Sequence, residues 1–110
     1  MMSLSTHVLD TAHGQPAKGI GLHLMRGREV LYAGATDADG RCAELRDLVL
    51  EAGRYRLEFD VADYFRGRGV VLPEPPFLDR VGIDFGMDGE SHYHVPLLVS
   101  PYGYSTYRGS

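Results

Sequence analysis

The sequence predicts an all-β protein, a two-sheet antiparallel β-sandwich of about eight strands with one short helix. Apolar and polar residues alternate in short runs, as expected for strands that turn one face to a core. Turn-forming Gly, Pro and Asp residues separate these runs at regular spacing. The length of 110 residues is typical of one domain, so we predict a single domain over residues 1–110.

The first half of the chain contains four predicted strands. They cover residues 4–9, 20–25, 29–35 and 41–45. In the first of them, Ser5 and His7 share the face opposite the apolar Leu4. Residues 37–40 are predicted to form a turn, because aspartate side chains bond their own backbone and glycine permits positive φ. Arg41 therefore starts a strand just past a rigid turn.

The second half contains four more predicted strands and the helix. The strands cover residues 53–60, 81–87, 92–99 and 102–107. The helix follows the first of these strands, with Asp60 as its predicted N-cap. Val61, Tyr64 and Phe65 share one helical face, and Gly67 ends the helix after about two turns.

Composition argues against several classes of partner. The net charge of −4 disfavours nucleic acid and anionic membranes. No run approaches the ~20 apolar residues that span a bilayer, and the first residues lack a secretory signal, so we predict a cytoplasmic protein. Cys42 is the only cysteine, which excludes an intrachain disulfide. Ten of the eleven basic residues are arginines, which suit planar recognition of carbonyls and carboxylates.

Histidines are the strongest candidates for catalysis, since their ordinary pKa of about 6.5 lies near neutrality. His7 lies on the face of its strand that points away from the predicted core, where it is either functional or a half-exposed strand residue. His92 and His94 lie two residues apart on one strand face, so both rings point into one space. Two such histidines also fit zinc, but the sequence offers no third ligand nearby.

Arginines supply the complementary charge. Arg41 is either a surface residue or a guanidinium that holds a carbonyl oxygen or an oxyanion. Arg108 is either a solvated cation or part of a site. Ser105 lacks the nucleophile elbow, and Cys42 has no neighbour in the sequence that lowers a thiol pKa. Water activated by a histidine is therefore the favoured hydrolytic chemistry.

Four segments together resemble a known family. They are Leu-Ser-Thr-His-Val-Leu-Asp-Thr-Ala at 4–12, Asp-Gly-Arg-Cys at 39–42, Tyr-His-Val-Pro-Leu-Leu at 93–98 and Tyr-Arg-Gly-Ser at 107–110. In this order they resemble the transthyretin-related 5-hydroxyisourate hydrolases over essentially the whole chain. The terminal Tyr-Arg-Gly-Ser is the most specific of the four, because transthyretin proper, the hormone carrier of the same fold, lacks it.

The resemblance implies a fold, an assembly and a reaction. The fold is the transthyretin-like sandwich, and the assembly is a homotetramer, a dimer of dimers with active sites in the channel between dimers. The reaction opens the ring of 5-hydroxyisourate, a product of urate oxidation, to give 2-oxo-4-hydroxy-4-carboxy-5-ureidoimidazoline. Neither a metal nor an organic cofactor is implied.

The resemblance also implies the site residues, without deciding which histidine is the general base. The implied catalytic residues are His7, Arg41, His94 and Ser110, and the implied substrate-binding residues are Tyr107, Arg108 and Gly109. Two alternatives stay open: a transthyretin-like carrier of an aromatic small molecule, and a structural module of a larger secreted protein. The terminal tetrapeptide and the two histidines favour the hydrolase, because a carrier does not require them.

Overall fold

Two four-stranded sheets packed face to face form the molecule, which we describe from a computed structural model covering residues 2–89 and 91–109. The strands are β1 (Ser3–Asp10), β2 (Gln15–Pro16), β3 (Gly21–Arg26), β4 (Glu29–Ala35), β5 (Gly53–Asp60), β6 (Arg80–Met87), β7 (His92–Ser100) and β8 (Gly103–Thr106). A 3₁₀ helix covers Ala43–Asp47 and an α-helix, α1, covers Val61–Gly67. Sheet A has the order β2-β1-β7-β8 and sheet B the order β4-β3-β5-β6. The predicted eight-stranded sandwich with one short helix is confirmed, although β2 was not among the predicted strands.

The core lies between the two sheets and is built by alternate residues of each strand. Leu4, Val8, Leu57, Phe59 and Leu97 are completely buried. Burying one such side chain stabilises the fold by roughly 1.5–3 kcal/mol, which fixes the face that each strand turns inward. The intervening residues therefore face outward, where they are free to form a site.

One pairing in sheet A runs parallel within an otherwise antiparallel-rich sandwich. β1 and β7 lie side by side with Ser3 opposite His92, Ser5 opposite His94 and His7 opposite Pro96. A tight turn forces neighbouring strands to be antiparallel, but these two strands are joined through the whole of sheet B. No tight turn therefore fixes the relative direction of β1 and β7, and local sequence patterns did not predict that they run parallel.

The predicted strand at residues 41–45 is wrong. Arg41 makes only an isolated bridge to His7, and the chain then enters the 3₁₀ helix. Cys42 and Leu45 are both buried and lie three residues apart, which is the period of a 3₁₀ helix. The preceding turn is as predicted, because Asp37 Oδ1 accepts hydrogen bonds from the backbone amides of Asp39 at 2.9 Å and Arg41 at 3.0 Å.

The helix α1 confirms the predicted helical segment and buries Val61, Tyr64 and Phe65. Asp60 precedes it as predicted, but within the described chain its carboxylate makes no capping bond and pairs instead with Arg80 Nε at 3.0 Å. None of the helices among residues 2–89 and 91–109 has the length and apolar character needed to cross a bilayer.

Candidate active site

The outward side of β1 and β7 carries a cluster of histidines and serines, which we call the histidine face: Ser3, Ser5, His7, His92 and His94. All five lie at alternate positions of their strands, opposite the buried Leu4 and Val95. The parallel register places each serine of β1 beside a histidine of β7. The histidine face therefore combines residues from both ends of the chain on one side of sheet A.

Hydrogen bonds connect four of these side chains in a row. Ser3 Oγ lies 2.5 Å from His92 Nδ1. Ser5 Oγ lies 2.9 Å from His92 Nε2 and 2.8 Å from His94 Nδ1, so one hydroxyl joins the two rings. Among the described residues, no group of three His, Cys, Asp or Glu side chains is arranged to hold a metal ion.

Arg41 is held beside the histidine face by backbone contacts. It forms an antiparallel bridge with His7, and the amide of Val8 donates to the carbonyl of Gly40 at 2.8 Å. Gly40 has a φ of +76°, and a Cβ there would lie 2.4 Å from the carbonyl oxygen of Val8. Any other residue at this position is therefore strained and would push the Arg41 segment away from β1.

A small cavity of about 170 Å³ lies between β1 and the 3₁₀ helix. Its lining includes Ser5 from the histidine face together with two arginines, Arg41 and Arg46. Arg46 stands in the last turn of the 3₁₀ helix. Two cationic side chains thus lie near the histidines, although the acidic Asp37 also lines this cavity.

The environment of His92 and His94 favours their neutral forms. Burial lowers the pKa of His94, and the charges of Arg41, His7, His92 and Arg46 lower it further. Burial also lowers the pKa of His92, with a further contribution from Arg46. Both shifts disfavour the imidazolium, so at pH 7 these rings are free to accept a proton.

The C-terminal segment folds back over His94. The amide of Gly109 donates to the carbonyl of His94 at 2.8 Å. A Cβ at position 109 would lie only 2.5 Å from His94 Cδ2, so the glycine backbone packs directly on the imidazole ring. Arg108 places its Cζ 4.2 Å from the centroid of the Tyr93 ring and donates to Ser91 Oγ at 2.8 Å. These contacts fix the segment at one edge of the histidine face.

The predicted site residues fall into two groups within the chain. His7, Arg41, His94 and Gly109 come together at the histidine face. Tyr107 and Arg108 instead line a separate cavity of about 380 Å³ between β6 and the edge of sheet A, next to the inward-facing Tyr93 and Val95. The predicted catalytic Ser110 lies outside the described residues.

Three residues of the site, Ser3, Ser5 and Arg46, were not among the predicted ones. Ser5 joins both histidines, and its position on the same strand face as His7 was the available signal. Arg46 had no such signal in the sequence. The 3₁₀ helix brings Arg46 to the cavity, and residues 41–45 had been predicted as a strand instead.

The fold and the site define a transthyretin-like β-sandwich that carries a histidine and arginine cluster on one sheet. The model of the HIUase/Transthyretin family matches residues 4–109, and the chain belongs to this family. It is 58% identical to 5-hydroxyisourate hydrolase of Mesorhizobium japonicum, over 97% of this chain and 91% of that protein.

Solved structures show the same relationship. The structure of Klebsiella pneumoniae 5-hydroxyisourate hydrolase is 42% identical and superposes with a TM-score of 0.88, over all of both chains. Sea bream transthyretin in complex with thyroxine is 29% identical, with a TM-score of 0.85 over 96% of this chain and 93% of that one. The chain is thus similar both to a hydrolase and to a ligand-binding transthyretin, and shares more sequence with the hydrolase.

Proposed function

We propose that this protein hydrolyses 5-hydroxyisourate, opening the ring at its cyclic amide bond to give 2-oxo-4-hydroxy-4-carboxy-5-ureidoimidazoline. The relatives at 58% and 42% identity carry the name of this enzyme and match the chain over nearly its full length. The observation that carries the proposal is the meeting of His7, Arg41, His94 and Gly109 at one face, from four distant parts of the chain.

The chemistry needs a base for water and a positive group for the oxygen that gains charge. A neutral His94 accepts the proton of the attacking water and returns it to the leaving nitrogen. Its lowered pKa suits this role at pH 7, because the ring is unprotonated before the reaction begins. Arg41 holds the substrate carbonyl and offsets negative charge as it develops. His7 is the second histidine in reach and orients the water or the substrate.

The C-terminal segment shapes the site. Gly109 presses on the His94 ring and limits the positions that the imidazole adopts. Tyr107 has 60% of its surface exposed in the single chain, and Arg108 is anchored on Tyr93. Within the proposal, Tyr107 and Arg108 bind substrate, although in the single chain they line the separate cavity beside β6. Ser110 contributes oxygens that hydrogen-bond the ring. These roles rest on the family resemblance.

The proposal includes a homotetramer, a dimer of dimers, in the cytoplasm. Support comes from the edge strands β6 and β8, which expose backbone hydrogen-bonding groups, and from the exposed Tyr102 and Tyr104 beside them. Sedimentation equilibrium is expected to give four times the chain mass of 12.2 kDa. A monomer at micromolar concentration would refute the tetramer.

The direct test follows the absorbance of 5-hydroxyisourate made freshly by urate oxidase. The protein should speed its decay, and His94→Ala should lower kcat by about 10²–10⁴, as expected for loss of a general base. His23→Ala is the matched control, because His23 lies on sheet B, away from the site. Decay that is no faster with the protein than without it would refute the hydrolase, and stoichiometric binding of an aromatic ligand without turnover would favour the carrier.

A second test addresses the terminal segment. Deleting residues 107–110 should abolish turnover while leaving the sandwich folded, because these residues follow the last strand and none of those described belongs to the hydrophobic core. Circular dichroism checks the fold of the shortened chain. Normal kinetics in a folded, shortened chain would show that the segment has no part in the reaction.

A further inference from the structure

Ser5 occupies an unusual position between the two imidazole rings of the histidine face. Its hydroxyl is 2.9 Å from His92 Nε2 and 2.8 Å from His94 Nδ1, and the residue is only 6% exposed. A serine hydroxyl carries one proton, and each neutral imidazole carries one N–H. When Ser5 donates its proton to one of the two rings, it accepts from the other, and the directions of the hydrogen bonds along the row are then coupled.

The row has two self-consistent directions. In the first, His94 Nδ1–H donates to Ser5, Ser5 donates to His92 Nε2, and His92 Nδ1–H donates to Ser3 Oγ. This direction leaves a lone pair on His94 Nε2. In the second, every bond is reversed and His94 Nε2 carries the proton. Protonation of His94 Nε2 by transfer along the row reverses the His94–Ser5 and Ser5–His92 bonds and leaves the bond from His92 to Ser3 unchanged.

We propose that Ser5, His92 and Ser3 form a proton relay behind His94, and that His94 is the general base. This inference rests on the proposed hydrolase function and assigns to residues of the same site a role beyond it. No residue among those described hydrogen-bonds to His94 Nε2, whereas Nδ1 is held by Ser5. Nε2 is therefore the nitrogen that faces the reacting water.

The proton transfer balances at each atom. As the water oxygen attacks, one of its protons moves to His94 Nε2. The Nδ1 proton of His94 moves to Ser5 Oγ, and the original hydroxyl proton of Ser5 moves to His92 Nε2. His94 and Ser5 end neutral, and His92 becomes the imidazolium, with its Nδ1–H on Ser3. The reverse sequence then delivers a proton from His94 Nε2 to the leaving nitrogen.

Moving the charge to His92 takes it away from the larger set of charged and titratable groups around His94, although the surroundings of His92 also disfavour its imidazolium. The groups that face His94 are Arg41, His7, His92 and Arg46, so a cation on His94 is close to the arginine that holds the substrate. Arg46 is the charged group that lowers the pKa of His92, after burial. Two residues along a strand span about 6.6–6.8 Å, so the relay moves the positive charge by that distance from the reacting centre.

Removal of the Ser5 hydroxyl tests the relay. In the absorbance assay, Ser5→Ala should lower kcat by about 10–100-fold with KM unchanged, less than the ~10²–10⁴ lost with the base itself. Ser5→Thr keeps a hydroxyl and should stay within a few-fold of the wild type. Ser100→Ala is the matched control, since it deletes a hydroxyl from the same face of β7 and should leave kcat unchanged.

A proton inventory separates a relay from a structural effect. In mixtures of H₂O and D₂O, the wild-type kcat should fall along a curved line, because several protons move together. His92→Gln preserves a polar side chain but cannot accept and return a proton, so its kcat should fall and its inventory should become linear.

The outcomes separate the relay from the function on which it rests. A wild-type protein without activity refutes the hydrolase. An active wild type with unchanged kcat in Ser5→Ala or His92→Gln refutes the relay alone. A Ser5→Thr protein as slow as Ser5→Ala, or a linear wild-type inventory, would also refute it.

Discussion

Gly109→Ala tests the contact between the C-terminal segment and the candidate base. The added Cβ would lie 2.5 Å from His94 Cδ2, 3.1 Å from Cγ and 3.2 Å from Cβ. Ordinary contact begins at 3.4 Å, so the ring or the segment must shift by about 0.9 Å at the closest atom. Because His94 is held on its other side by Ser5, the segment and the ring cannot both stay in place.

The expected loss follows from this displacement. A misplacement of about 1 Å in a catalytic group costs about 10²-fold in rate, which corresponds to about 2.7 kcal/mol of transition-state stabilisation. The fold should be unaffected, because Gly109 lies beyond the last strand. The assay is the decay of 5-hydroxyisourate absorbance, with kcat/KM compared between variant and wild type.

Gly103→Ala is the matched control. It lies at the start of β8, and an added Cβ there would meet only Ser100 Oγ at 3.9 Å, an ordinary contact. This control should retain wild-type kcat/KM. Wild-type activity in Gly109→Ala, or an equal loss in both variants, would refute the argument that the backbone at position 109 positions His94.

Two further predictions concern pH. Asp10 is buried, which by itself raises the pKa of its carboxyl, but hydrogen bonds from Tyr64 and His13 outweigh burial and lower it below 3.8. A lowered folded-state pKa adds stability above the unfolded value that is lost as pH falls through the folded value. Urea unfolding of the wild type should therefore show a free energy of unfolding that falls as the pH drops below about 4. The Asp10→Asn variant should be about 1–3 kcal/mol less stable at pH 7, and its free energy of unfolding should stay flat in that acid range. Equal pH profiles for the two proteins would contradict this. The acid limb of kcat/KM should lie below pH 6.5, since the pKa of His94 is lowered, and Arg46→Gln should move it to higher pH by removing one of the causes. An unmoved limb would show that Arg46 does not act on the base.

The sequence predicted the strands and their faces because burial acts locally. The alternation in β5 is visible in the sequence, and the structure follows it by burying Tyr55, Leu57 and Phe59. The same alternation placed His92 and His94 on one face. It also placed Ser5 beside His7, although the importance of that serine depends on the partner strand.

The pairing of strands could not be predicted in this way. Ser5 meets His94 only because β1 and β7 are parallel neighbours in one register, and these two residues are 89 apart in sequence. The whole of the chain between them determines this register jointly. The 3₁₀ helix is similar, since the run at residues 41–45 is too short to distinguish a strand from a tight helix until the burial of Cys42 and Leu45 is known. The contact of Gly109 with His94 depends on tertiary structure in the same sense.

The β1–β7 pairing has a consequence for how the protein folds. Contacts between residues so far apart in sequence carry a high loop-closure entropy and form slowly compared with the β3–β4 and β5–β6 neighbours. On the ribosome, the first strand is synthesised long before its partner exists. Sheet B can form before β1 pairs with β7, so the histidine face is completed only when both ends of the chain have emerged. During refolding, recovery of activity should therefore lag behind recovery of the far-ultraviolet signal.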